Sequence, residues 1–167
     1  FLGDFFYTLK QKQVETYVDP KGSDFGKYKN CFMIKPNMKE LRTATLENPN
    51  MDIDDKVRLL MEKAKADVCL LTKSSEGMSL YSANKKRDFD IISSEVYDVT
   101  GAGDTVIAAL VFARNRQLSL TDAASFSNYC AAFAVTKIGC AKMDIPELAN
   151  IMSQNETFVD ILPNGKG

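Results

Sequence analysis

Histidine is absent from the 167 residues. No imidazole can therefore act as base, as nucleophile partner or as metal ligand, which excludes Ser-His-Asp triads, Cys-His proteases and most zinc hydrolases. Cysteine is scarce: Cys31, Cys69, Cys130 and Cys140 show no C-x-x-C spacing and sit in apolar surroundings. Buried free thiols in a reducing compartment are expected, rather than a disulfide framework or a zinc site. Neither sign of charge is in excess, with 21 Lys+Arg against 22 Asp+Glu and a net charge of -1. That balance gives no electrostatic reason to expect nucleic acid or an anionic membrane as a partner. No apolar run approaches the length of a membrane span and no signal peptide is visible, so a cytoplasmic setting is expected.

What is present is ordinary for a globular chain, with 45% hydrophobic and 26% charged residues, and the length suits one domain with a real core. Strand and helix patterns alternate. Thr16-Tyr17-Val18 and Cys31 to Ile34 read as strands ending before Asp19-Pro20 and Pro36-Asn37. A helix follows from Met38 to about Leu46. Asp54 to Ala66 is the clearest amphipathic helix, with Val57, Leu60, Met61 and Ala64 at helical spacing. Val68 to Leu71 is a fully apolar strand, as in a sheet covered on both faces. Ser79-Leu80-Tyr81 and Ile91 to Val96 read as further strands, with Lys85-Lys86-Arg87-Asp88 as a solvated turn between them. Helices are expected from Asp104 to about Arg116 and from Thr121, as N-cap, to Lys137, with Gly139 as C-cap. A last short helix would start at Asp144-Ile145-Pro146. There is no internal repeat and no evident domain boundary. The pattern predicts an α/β fold with a largely parallel sheet flanked by helices.

The stretch VYDVTGAGDTVIAAL, Val96 to Leu110, carries the most chemistry. A strand, then Thr100-Gly101-Ala102-Gly103, then a helix is the arrangement that builds an anion site. The first amides of a helix lack internal acceptors and carry the positive end of its dipole, and glycine lets that backbone approach a phosphate. Asp104 would compete with such an anion unless it serves the other reactant, a hydroxyl whose proton it accepts during phosphoryl transfer. The plainer alternative is a glycine turn with Asp104 as a first-turn acid favouring the dipole. Two rival motifs fail: position 106 is Val where a dinucleotide fingerprint needs a third glycine, and Gly22 to Lys27 is one residue short of a P-loop, with Tyr28 where Ser or Thr is needed.

DVTGAGDTVIAAL resembles the C-terminal signature of the PfkB/ribokinase family of carbohydrate kinases. Lys35-Pro36-Asn37-Met38-Lys39-Glu40 resembles that family's P-N-x-x-E segment, and Leu71 to Met78 its nucleotide-side strand and turn, in the family's order. Asp19-Pro20-Lys21-Gly22-Ser23-Asp24-Phe25-Gly26-Lys27-Tyr28 is similar to the D-glycero-β-D-manno-heptose-7-phosphate kinase branch, the kinase half of bifunctional ADP-heptose synthases. The resemblance reaches to about Met152, leaving residues 153–167 as a polar tail or the start of a linker. It implies a ribokinase-like fold, and it implies that this chain is the C-terminal, ATP-side portion. The family's sugar-binding glycines and small β lid have no counterpart here, so the chain alone is expected to be inactive and to form a homo-oligomer or to associate with a complementary N-terminal half.

The resemblance further implies ATP-dependent phosphorylation of a sugar phosphate, heptose 7-phosphate giving heptose 1,7-bisphosphate, with magnesium as cofactor. Asp104 becomes the catalytic base and the amides of Gly101, Ala102 and Gly103 the anion hole. Asn37, Met38, Lys39, Glu40, Thr72, Gly77 and Asn128 line the ATP side, and Asn37 and Glu40 hold the metal through water. Read from the residues alone, Asn37 is a turn residue after proline, Glu40 a solvated helix face and Asn128 a helix-surface amide. Lys21 is either a phosphate partner or a surface lysine. The family often has glycine where Ser74 stands. The alternatives in function are another sugar kinase of the family, ribokinase- or fructokinase-like, or a silent nucleotide- or partner-binding remnant.

Overall fold

A computed structural model of the protein describes residues 1–46, 48–83, 85–92, 101–135 and Pro146. The chain divides into two compact units, Phe1–Asp90 and Ile91–Gly167. In the first, the described elements run α1 (Leu2–Gln11), β1 (Tyr17–Val18), β2 (Met33–Ile34), α2 (Met38–Ala44), α3 (Ile53–Ala64), β3 (Val68–Thr72), β4 (Met78–Ser82) and β5 (Lys85–Phe89). The five strands form one sheet in the order β1-β2-β3-β4-β5. The pairs β1–β2 and β2–β3 are parallel, and β3–β4 and β4–β5 are antiparallel. The sheet is therefore mixed. In its parallel half β1 crosses to β2 through the segment that carries the short turn Gly26–Tyr28, and β2 crosses to β3 through α2 and α3; its other half is a meander of short turns, which can only reverse the chain.

Alternation along the strands sends Ile34, Cys69, Leu71 and Tyr81 to one face, where they join Val57, Leu60 and Ala64 of α3, Leu41 and Ala44 of α2, and Phe6 of α1 in a single apolar cluster. Met33, Val68, Leu70 and Leu80 on the opposite face are buried as well, so β2 and β3 read as continuous apolar runs. Helix α3 follows its sequence pattern closely. Its cap is Asp52, whose side chain accepts from the Asp55 amide at 2.7 Å, and Lys65 ends it in the left-handed region at φ 44°.

Three expectations need correction. The charged segment Lys85–Phe89 is an edge strand, not a turn; the chain reverses before it, between the paired residues Ser82 and Lys85, and Ala83 takes φ 47°. So short a connection suits the twist of a hairpin. The charges of β5 find partners across the sheet: Lys86 reaches Asp54 at 2.8 Å and Lys73 reaches Asp88 at 3.4 Å, while the Ser79 hydroxyl donates to Asp88. Charged side chains on an edge strand also discourage pairing with another chain. Ile91 and Ile92 belong to no strand, and residues 93–96 of the expected strand lie outside the described residues. Helix α1 is an addition, a stretch before Thr16 to which no element is assigned from the sequence. It buries Phe6 and is tied down by Lys10, 2.7 Å from Asp67.

In the second unit, α4 (Ala102–Asn115) and α5 (Leu120–Val135) pack against each other, with the Phe112 and Phe126 rings stacked at 6.1 Å. Small residues Ala109, Ala113, Ala123 and Ala124 in the buried faces allow close approach. The cap of α5 is Ser119 rather than Thr121: its hydroxyl oxygen accepts from the Asp122 amide at 3.1 Å. The C-cap expected at Gly139 and the last helix, apart from Pro146, lie outside the described residues. Cys31, Cys69 and Cys130 are buried free thiols, with burial pushing Cys31 and Cys130 up to about 12.

Candidate functional site

The parallel half of the sheet places the ends of β1, β2 and β3 side by side, where open α/β sheets carry their ligands. Asp19 follows β1, and Lys35 and Asn37 follow β2. The Asn37 backbone bridges to Thr72, the last residue of β3, and the Thr72 amide donates to the Pro36 carbonyl at 3.0 Å. Three segments distant in sequence thus meet at one edge.

Asn37 is the N-cap of α2, and with Glu40 it forms a capping box. Asn37 Oδ1 accepts from the Glu40 amide at 2.8 Å, and Glu40 Oε2 accepts from the Asn37 amide at 2.9 Å. This reciprocal pairing satisfies two orphan amides of the helix start. The plainer readings are corrected accordingly: Asn37 is a cap rather than a simple turn residue, and the Glu40 side chain, 16% exposed, is no solvated helix face.

Around this box lies a chain of ion pairs. Lys35 Nζ is 2.8 Å from Asp19 Oδ1, Lys21 Nζ is 2.9 Å from Asp19 Oδ2, and Lys21 Nζ is 3.5 Å from Glu40 Oε1. The Lys35 side chain is only 5% exposed, whereas that of Lys21 is 71% exposed. Burial works to raise the Asp19 carboxyl, yet the hydrogen bonds and charges of Lys35 and Lys21 outweigh it and hold it below the usual range. The hydrogen bond to Asp19 in turn holds the Lys21 ammonium above its usual range. The sequence alone assigns Asp19 and Lys35 no functional role. The available signal was an acid and a lysine each standing directly after a short apolar strand, which parallel pairing makes neighbours.

Other expected ATP-side residues fall nearby or elsewhere. Met38 packs partly against the core, while Lys39 is exposed. Thr72 is half-buried, and beyond it Ser74 and Gly77 both take positive φ, 53° and 74°. Those values explain why glycine suits the Ser74 position. Asn128 is buried in α5, so it is not a helix-surface amide.

The second unit holds the glycine motif. Gly101 is the N-cap of α4 at φ 80° and ψ -3°, with no side chain capping the helix. The Thr105 amide reaches the Gly101 carbonyl at 2.9 Å, closing the first turn. The amides of Ala102, Gly103 and Asp104 before it have no acceptor within the helix. Among the described residues, a Cβ at Gly101 would meet nothing within 4 Å, so the backbone angle rather than crowding calls for glycine there. Asp104 is exposed in the first turn of this 14-residue helix.

The donor set fits magnesium in one way. Glu40 has one oxygen committed to the cap and the other only loosely held, and Asn37 Oδ1 is committed as well. No cluster of three or more metal-ligating side chains exists among the described residues. The fit is to a hydrated ion touched through water, as magnesium favours, not to a protein cage.

The family description "pfkB family carbohydrate kinase" matches residues 3–148, and the chain belongs to that family. It is 38% identical over 173 residues to the bifunctional protein HldE of Aliarcobacter butzleri, covering 95% of this chain and 35% of that protein. It is 36% identical to HldE of Shewanella amazonensis, covering 92% and 33%. The chain thus spans about a third of the length of these relatives. Among solved structures it matches ribokinase from Thermotoga maritima with a TM-score of 0.78 at 18% identity, over 91% of this chain and 53% of that one. Arabidopsis thaliana ribokinase, solved with ribose and ATP, gives 0.75 at 23%, over 88% and 50%. These two establish the ribokinase-like fold.

Proposed function

We propose that this chain carries the ATP side and the catalytic base of a sugar-phosphate kinase, with heptose 7-phosphate as acceptor and heptose 1,7-bisphosphate as product. The observation that carries the reading is the start of α4: a left-handed glycine cap, amides without helical acceptors and an exposed carboxylate within one turn. The resemblance of Asp19 to Tyr28 to the heptose-7-phosphate kinase branch supports the choice of acceptor, and the Arabidopsis ribokinase solved with ribose and ATP supports ATP as donor.

In the proposed reaction, Asp104 accepts the proton of the acceptor hydroxyl as its oxygen bonds to the γ-phosphorus. The bond from that phosphorus to the β-phosphate oxygen breaks, and ADP leaves with the electron pair. The amides at Gly101, Ala102 and Gly103 stabilise charge on the transferring group, which preorganised donors do without reorganising. Magnesium, when bound with ATP, neutralises phosphate charge; Glu40 would hold it through water, with Asn37 fixing the Glu40 carboxylate. Thr72 and the turn through Gly77 would line the nucleotide. A cytoplasmic setting suits the buried free thiols, and no described helix is long and apolar enough to cross a membrane.

The test is to incubate the intact protein with ATP, magnesium and either heptose 7-phosphate, ribose or fructose, and to follow products by phosphorus NMR. The reading expects an anomeric phosphate on the heptose and far slower reaction of the other sugars. ADP formation only with ribose or fructose would move the assignment elsewhere in the family, and no transfer to any sugar would favour a silent nucleotide-binding protein.

A further inference from the structure

Lys21 stands between two carboxylates, 2.9 Å from Asp19 and 3.5 Å from Glu40. We propose that Lys21 is a tethered cation that occupies the open oxygen of Glu40 and competes with magnesium for it, while Lys35 and Asp19 fix the point to which it returns. The inference rests on the reading that Glu40 holds the metal through water. Lys21 is thereby a positioning residue, not a catalytic one.

The four charges explain why Lys21 is the group that yields. Asp19 and Glu40 are balanced by Lys21 and Lys35, so the cluster is neutral as it stands. Lys35 is 5% exposed and paired at 2.8 Å; moving it would strand a buried charge, which is costly. Lys21 is 71% exposed, and an exposed ion pair of this kind contributes little and is easily exchanged. The longer of its two contacts is the one to Glu40, so a divalent ion can displace the amine there while Asp19 still retains it. Glu40 itself cannot turn away, because its other oxygen is held by the Asn37 amide at 2.9 Å. The carboxylate thus has one fixed oxygen, one exchangeable position and a resident cation to be replaced.

The experiment measures manganese binding by electron paramagnetic resonance in the intact protein, with ADP saturating and about 0.15 M salt, where charges beyond roughly 8 Å are screened. Lys21→Met removes the amine and keeps the stem. Manganese affinity should rise about two- to five-fold, the range an exposed ion pair corresponds to, and Lys21→Arg should return it to the wild-type value. Unchanged or weaker affinity in Lys21→Met would overturn the competition. Glu40→Gln separates this from the underlying reading. If Glu40→Gln weakens manganese binding while Lys21→Met fails to tighten it, only the competition falls; if Glu40→Gln changes nothing, both fall together.

Discussion

In the unit Phe1–Asp90 the charged groups beyond the strand ends are already partnered: Lys35 and Lys21 on Asp19, Lys21 on Glu40, and Glu40 on the Asn37 amide. In the unit Ile91–Gly167 the start of α4 is the reverse, with no side-chain cap, first-turn amides lacking helical acceptors and an exposed Asp104. The first region uses its bonding capacity to hold its own geometry. The second presents amides without helical acceptors and an exposed carboxylate within one turn. The contrast predicts that substitutions among the paired charges of the first region act mainly on stability, and that substitution of Asp104 in the second acts mainly on rate.

Lys35→Met should have the largest effect on stability. Removing one partner of a buried pair costs about 3–5 kcal/mol when the remaining charge is left alone; Asp19 keeps Lys21, so a loss near the lower end, about 3 kcal/mol, is expected in urea unfolding. A loss below about 0.5 kcal/mol would mean that the cluster does not hold the strand ends together. Gly101→Ala comes next. An alanine at φ 80° occupies the left-handed region at a cost of about 1–2 kcal/mol, readable as a lowered Tm. Wild-type stability in this variant would show that the cap can relax without its positive angle.

The smallest effect is a pH dependence. The Asp19 carboxyl is held below its ordinary 3.8 because, although burial raises it, Lys35 and Lys21 lower it more. A group whose folded pKa is depressed adds stability that is present above the unfolded pKa and lost as the pH falls through the folded one. Comparing acid unfolding of wild type with Asp19→Asn should therefore show an excess stability of wild type at pH 6 that shrinks below about pH 4. A constant difference across that range would contradict the assigned direction.

How far the sequence spoke for itself depended on the distance over which each signal acts. Helix α3 was legible because Val57, Leu60 and Ala64 repeat at helical spacing, and β3 because it is apolar throughout. The glycine–aspartate start of α4 was legible for the same reason, since Gly101 and Asp104 lie within one turn. The exchange of turn and strand around β5 arose because Lys85-Lys86-Arg87-Asp88 looks solvated until its partners Asp54 and Ser79 are brought across the sheet. The Asp19–Lys35 pair escaped because sixteen positions separate residues that only parallel pairing joins.

The central claim, that Asp104 accepts the acceptor's proton and does not hold the nucleotide, is tested most directly by measuring single-turnover phosphoryl transfer and ATP affinity on one preparation of Asp104→Asn in the intact protein. Transfer should fall by about two to four orders of magnitude, the combined weight of proton acceptance and positioning, while the Kd for ATP and the Tm stay near wild type. Transfer within a few-fold of wild type would contradict the claim outright, and an equal loss in ATP affinity would return Asp104 to the nucleotide side.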